Sequence, residues 1–147
     1  MLRFVRLAPV VLLSLLASCS DSTGPFSLAM HRARWEKQNL HDYLYTASRE
    51  CFCLNSGEEV YVLVLSDTVF SARTVETSVE LPRDQWFTVD QLFALAQRSS
   101  DDYEKVRVEF DPELGYPTLV ELSCSSTVLD CGLRLKATSL GGLVSIN

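Results

Sequence analysis

From Lys105 to Phe110 the chain alternates without a break, with Val106, Val108 and Phe110 set between Lys105, Arg107 and Glu109. A period of two places the apolar residues on one side of an extended segment, which predicts a half-buried β-strand. Asp111-Pro112-Glu113-Leu114-Gly115 supplies turn chemistry, and Tyr116 to Cys124 starts a second strand with Val120, Leu122 and Cys124 on one side. Cys131, Leu133, Leu135 and Ala137 resume the alternation against Arg134, Lys136 and Thr138. Upstream, Asp42 to Cys53 and Val60 to Ser66 read as strands, with Val69 to Val79 as a weaker third. The unbroken apolar run from Val60 to Leu65 predicts a central strand covered on both faces.

Two stretches follow the helical period instead. Ser27 caps a helix expected to run to about Asn39, with a thin stripe of Leu28 and Trp35 beside Ala29 and Ala33. Thr88-Val89-Asp90-Gln91 is a capping box, in which Thr88 bonds the amide of Gln91 while Gln91 reaches back to Thr88. Phe87 and Leu92 stand where a hydrophobic staple forms, and Val89, Leu92, Phe93, Leu95 and Ala96 make one apolar face that ends near Ser99. The order is therefore helix, three strands, helix, three strands. Short turns between successive strands imply antiparallel pairing. The expected fold is α+β: an antiparallel sheet of about six strands with two helices packed on one face. The repeated layout leaves a helix-plus-three-strands duplication open.

The N-terminus obeys neither period. Arg3 and Arg6 precede an apolar run from Leu7 to Leu16, too short for a permanent membrane span and laid out like a cleaved export signal. Its ending, Leu16-Ala17-Ser18-Cys19, resembles the bacterial lipobox, which implies cleavage before Cys19 and acylation of its thiol. More than one acyl chain there anchors a protein stably to a membrane. The expected organisation is a signal peptide at 1–18, a lipidated Cys19 and flexible tether at 19–26, one domain at 27–140, and a frayed tail at 141–147 that contains Gly141-Gly142. Ser20 after the acylated cysteine is permissive for outer-membrane sorting by analogy with enteric bacteria, so a Gram-negative source implies the periplasmic face of the outer membrane.

Charge narrows the partners. The chain has 147 residues and a net charge of −6; without residues 1–18, which carry Arg3 and Arg6, 129 residues remain at −8. That length suits one domain. An acidic domain with no basic stripe is not drawn to nucleic acid, and its membrane attachment must rest on the lipid rather than on charge.

Of five cysteines, four remain for the fold: Cys51, Cys53, Cys124 and Cys131. An even number in an exported chain reads as two disulfides with three connectivities. Cys124 and Cys131 share an inward face on consecutive strands, where opposed Cα atoms lie about 4.5–5.5 Å apart, within disulfide reach. Cys51 and Cys53 stand roughly 6.6 Å apart in an extended strand, so a bond between them needs a bend. Asn55-Ser56-Gly57 permits one. If the strand stays extended, both cysteines bridge instead to Cys124 and Cys131. A redox role for Cys51 and Cys53 is chemically available, although the Cys-x-x-Cys context is missing.

Other chemistry-bearing residues have plainer readings. His31 lies on a charged helix and His41 between helix and strand, with no zinc-site spacing. Ser123, Ser125 and Ser126 lack a nucleophile elbow. Glu58-Glu59, Asp101-Asp102 and the Asp111/Glu113 pair belong to turns. No catalytic residue, metal or cofactor is expected. Tyr43, Tyr45 and Tyr61 are candidates for an exposed recognition face; the alternative packs them beneath the first helix with Trp35.

Trp35, Tyr43-x-Tyr45, Arg49-Glu50-Cys51-Phe52-Cys53, the helix start from Thr88 to Phe93 and Gly115-Tyr116-Pro117 occur here in one order. Over about residues 32 to 138 the chain resembles the small exported bacterial proteins of the domain of unknown function 6174 family. The resemblance implies an extracytoplasmic, often lipid-anchored domain and carries over no catalytic residue. This chain adds the Cys124/Cys131 pair where that family implies an acidic polar loop. The expected function is a lipid-anchored cell-envelope protein, non-enzymatic, that binds or assists an envelope protein. The alternatives are a thiol–disulfide protein using Cys51 and Cys53, and an inhibitor of an envelope-directed enzyme.

Overall fold

The computed structural model describes residues 25–103, 105–124 and 132–143. Helix α1 (Pro25–Glu36) precedes strands β1 (Tyr43–Glu50), β2 (Val60–Leu65) and β3 (Thr68–Thr74). A single 3-10 turn at Arg83–Gln85 leads into helix α2 (Val89–Asp102), which precedes β4 (Lys105–Phe110), β5 (Pro117–Ser123) and β6 (Leu133–Gly142). The six strands form one antiparallel sheet in the order β3-β2-β1-β6-β5-β4. The two three-strand runs therefore join where the last strand lies beside the first.

Alternation determines which side chains are buried. Tyr43, Tyr45 and Ala47 pair in register with Val64, Val62 and Val60, and all six are buried. The intervening Leu44, Thr46, Ser48 and Glu50 are half-buried or exposed. Trp35 of α1 meets Tyr43 edge-on at 5.4 Å, and Val89, Leu92 and Phe93 of α2 join the same core. Each buried Val, Leu or Phe contributes about 1.5–3 kcal/mol. The capping box forms as the sequence predicts: the Gln91 amide donates to Thr88 Oγ1 at 3.2 Å, and the Thr88 amide donates to Gln91 Oε1 at 2.8 Å.

Gly115-Tyr116-Pro117 seats α1 on the rest of the domain. Gly115 has φ +84°, and a Cβ there would stand 2.6 Å from the His31 carbonyl oxygen and 2.9 Å from Arg34 Cβ. Only glycine allows this backbone to approach the helix so closely. Tyr116 is buried and meets Trp35 at 6.3 Å, while Pro117 opens β5 fully buried.

Several boundaries differ from expectation. Helix α1 begins at Pro25 rather than Ser27, since proline's fixed φ suits a first helical position, and it ends at Glu36 before Asn39 turns with φ 50°. Strand β2 is interior to the sheet but is not covered on both faces: Val60, Val62 and Val64 face the core, while Tyr61 is exposed and Leu63 and Leu65 are half-buried on the opposite side. Strand β3 stops at Thr74, and the chain doubles back so that Leu81 donates to the Ala72 carbonyl. The expected tail from 141 is instead sheet: Gly141 and Gly142 pair with Leu44 and Tyr43. Two glycines read as a breaker, but a register shift near Leu44 and a positive φ at Ser139 let the strand resume.

Candidate functional site

Strand β1 was expected to continue to Cys53 but ends at Glu50, where the chain bends and Cys51 and Cys53 form a disulfide across a Cα separation of 5.2 Å. The bend is a three-residue turn closed by the Cys53 amide, which donates to the Cys51 carbonyl at 2.8 Å. Of the connectivities open in the sequence, the structure adopts the one that needed this bend.

The five residues Arg49 to Cys53 divide the work. Arg49 points inward and is 9% exposed. Its Nη2 donates to the Leu54 carbonyl at 3.0 Å and to Gln85 Oε1, its Nη1 donates to the Gln85 carbonyl, and the guanidinium lies 5.0 Å from the centre of the Trp86 ring. Among the described residues no carboxylate pairs with it, so carbonyls and an aromatic face hold this buried cation. Glu50 points the other way, 3.5 Å from Arg134 and 3.3 Å from Lys136 on β6. The Lys136 hydrogen bond leads in holding the Glu50 carboxyl below its usual range. The turn itself presents Phe52 at 85% exposure, with Leu54 at 82% just beyond Cys53. Two large apolar side chains so exposed on a tied turn are the surface feature that burial leaves unexplained.

Beside the turn runs a shallow groove of about 470 Å³ lined by Glu50, Cys51, Phe52, Glu121, Ser123 and Arg134. Its charges pair with one another: Arg134 stands between Glu50 and Glu121, and Arg107 extends the row from Glu121 to Glu109. Such exposed pairs add little stability individually. They give the outward positions of β1, β6, β5 and β4 a polar surface.

The three candidate tyrosines do not share a face. Tyr43 and Tyr45 are each 2% exposed, whereas Tyr61 pairs with Thr46, points to the opposite side and is 45% exposed. Tyr43 and Tyr45 therefore correct the recognition-face reading and fit the packed one. The Tyr43 hydroxyl accepts from the Val89 amide at 2.9 Å, and the Tyr45 hydroxyl donates to the Phe87 carbonyl. Burial pushes the Tyr43 pKa up to about 12 and raises that of Tyr45 as well.

His31, read as lying on a charged helix, is half-buried and stacks on Phe110 with ring centres 4.1 Å apart. Burial lowers its pKa, and Arg34 lowers it further. His41 pairs with Asp67 at 2.8 Å beside the turn between β2 and β3. Asp111 accepts from the amides of Glu113 and Leu114, as its turn reading requires. Cys124 follows β5 and is disulfide-bonded. Cys131, Cys19, the tether up to residue 24 and the signal segment lie outside the described residues. Among the described residues no helix is long and apolar enough to cross a membrane.

Sequence reasoning missed Arg49 and Leu54. The first is buried only because Gln85 and Trp86 arrive from 36 residues away and beyond; the second is an apolar residue whose exposure no pattern marks. The nearest signal was the Arg-Glu-Cys-Phe-Cys run itself. In comparisons with known proteins, the model of a family described as "Family of unknown function (DUF6174)" matches residues 27–140. No curated protein and no solved structure matches.

Proposed function

We propose, for a chain that belongs to the family of unknown function DUF6174, that it is a lipid-anchored, extracytoplasmic binding domain whose Cys51–Leu54 turn engages an envelope protein. The observation that carries this reading is the exposure of Phe52 and Leu54, at 85% and 82%, on a turn already tied by a disulfide and by Arg49. Aromatic anchors dominate binding energy at protein interfaces. Fixing such an anchor before contact removes much of the ordering cost of association. The lipobox-like ending at Cys19 and the oxidised cysteines support a location outside the cytoplasm. In this reading both helices cover one side of the sheet, and the other presents the polar row from Glu50 to Glu109. The charged groups of the groove are engaged with each other rather than poised on a reacting atom, which favours binding over hydrolytic chemistry there.

The test is crosslinking of the intact lipoprotein in its own envelope, comparing wild type with Phe52→Ser/Leu54→Ser. The double variant should fold normally and lose a discrete partner that the wild type captures. Equal capture by both would overturn the reading. Mass spectrometry of the N-terminal peptide tests the anchor, with acylated Cys19 expected.

A further inference from the structure

The same turn carries a second property: we infer that Cys51–Cys53 is an exchange-active disulfide that accepts electrons from a client protein dithiol. This goes beyond the binding reading and needs no stable complex with a partner, so either can fail alone.

Accessibility comes first. Exchange requires a thiolate to reach a sulfur, and Cys53 is exposed while Cys51 is half-buried at the rim of the groove. The attacked atom is therefore Sγ of Cys53, and Cys51 is the leaving group. Cys53 also lies directly between Phe52 and Leu54, the two most exposed apolar side chains of the turn. An unfolded client segment has apolar residues to offer, and here they meet a surface that brings them against the reactive sulfur.

The second observation concerns the reduced state. The turn has ties that do not pass through sulfur. Gly57 donates to the Arg49 carbonyl at 2.7 Å, Cys51 donates to Ser56 Oγ at 3.2 Å, Cys53 donates to the Cys51 carbonyl at 2.8 Å, and Arg49 holds the Leu54 carbonyl. Breaking the disulfide leaves both thiols on the same short turn, placed to close again. A bond that joins residues only two apart also constrains the unfolded chain far less than one closing a long loop. Both redox states then share one fold, which reversible exchange demands.

The chemistry balances as follows. A client thiolate attacks Cys53 Sγ, the Cys51–Cys53 bond breaks, and Cys51 leaves as a thiolate that takes a proton from solvent. The client's second thiol, deprotonated, attacks the client sulfur of the mixed disulfide; the client disulfide forms and Cys53 leaves to be protonated. The client loses two electrons and two protons, and the cysteine pair gains them. An oxidised small-molecule disulfide restores the pair by the reverse sequence.

The intact protein, equilibrated with mixtures of reduced and oxidised glutathione and then alkylated, reports the state of the peptide bearing Cys51 and Cys53 by mass. The expected result is reversible reduction of this pair with an unchanged circular dichroism spectrum, and stoichiometric oxidation of a synthetic dithiol peptide by the oxidised protein. Cys51→Ser should form a mixed disulfide with the oxidised peptide readily, and Cys53→Ser about tenfold more slowly, following thiol access. A pair that stays closed at every glutathione ratio short of unfolding overturns the inference. So does a pair that is reduced without oxidising the peptide.

Discussion

The guanidinium of Arg49 and the carbonyl oxygen of Leu54 lie 3.0 Å apart, so a buried cation in strand β1 fixes the base of an exposed turn. The same side chain bonds the backbone and side chain of Gln85, which ties the turn to the segment leading into α2. The exposed turn and the packing at its base thus share one residue.

Replacing Arg49 with Ala should cost about 2–3 kcal/mol in urea unfolding, because it strands buried acceptors that a charged donor now satisfies. Arg49→Lys should recover little of this, since an ammonium lacks the planar fork that reaches both partners. Hydrogen exchange at the Cys53 and Gly57 amides should accelerate in both variants.

Removing the disulfide should do less. Loop-closure entropy for so short a loop amounts to about 1.6 kcal/mol, so Cys51→Ala/Cys53→Ala should stay folded with its unfolding midpoint only modestly lowered. A loss beyond about 3 kcal/mol would show that the bond supports the sheet as well as the turn.

Gly115→Ala should destabilise more than any surface change, by about 3 kcal/mol. It forces a side chain into a left-handed conformation and drives Cβ to 2.6 Å from the His31 carbonyl. Loss of the near-ultraviolet signal of Trp35 would accompany the melting shift, because α1 must lift away.

Alkaline pH should unfold the domain through its buried tyrosines. The folded pKa of Tyr43 is raised to about 12, above the ordinary value of 10.0, and that of Tyr45 is also raised. The folded state therefore favours the protonated phenols, their contribution is complete below pH 10, and it is lost as pH rises toward 12. Tyr43→Phe should make the decline between pH 10 and 12 shallower while lowering stability at pH 7 by about 1 kcal/mol, through loss of the acceptor for the Val89 amide.

These residues also show what a sequence can reveal. The capping box was legible because Thr88 and Gln91 act on each other within four positions. Strand β4 was legible because its alternation is strict, and β5 because Val120 and Leu122 hold one side after a clear turn, even though the adjacent Leu119 is buried as well. The side on which Tyr61 falls was not, since it depends on the register of a hairpin that sets Thr46 opposite it. Cys51 and Cys53 left three connectivities open because local spacing alone does not decide whether a strand bends. The packing of Arg49 on Trp86 and Gln85 is a product of tertiary structure, and the prominence of Phe52 follows from it.

The most direct measurement places a photo-crosslinking amino acid at position 52 of the full-length protein in its native envelope, with positions 61 and 79 as exposed controls. A discrete protein adduct from position 52, absent from 61 and 79, is the predicted result. No adduct at 52, or the same adducts at all three positions, would contradict the assignment of the turn as the recognition surface.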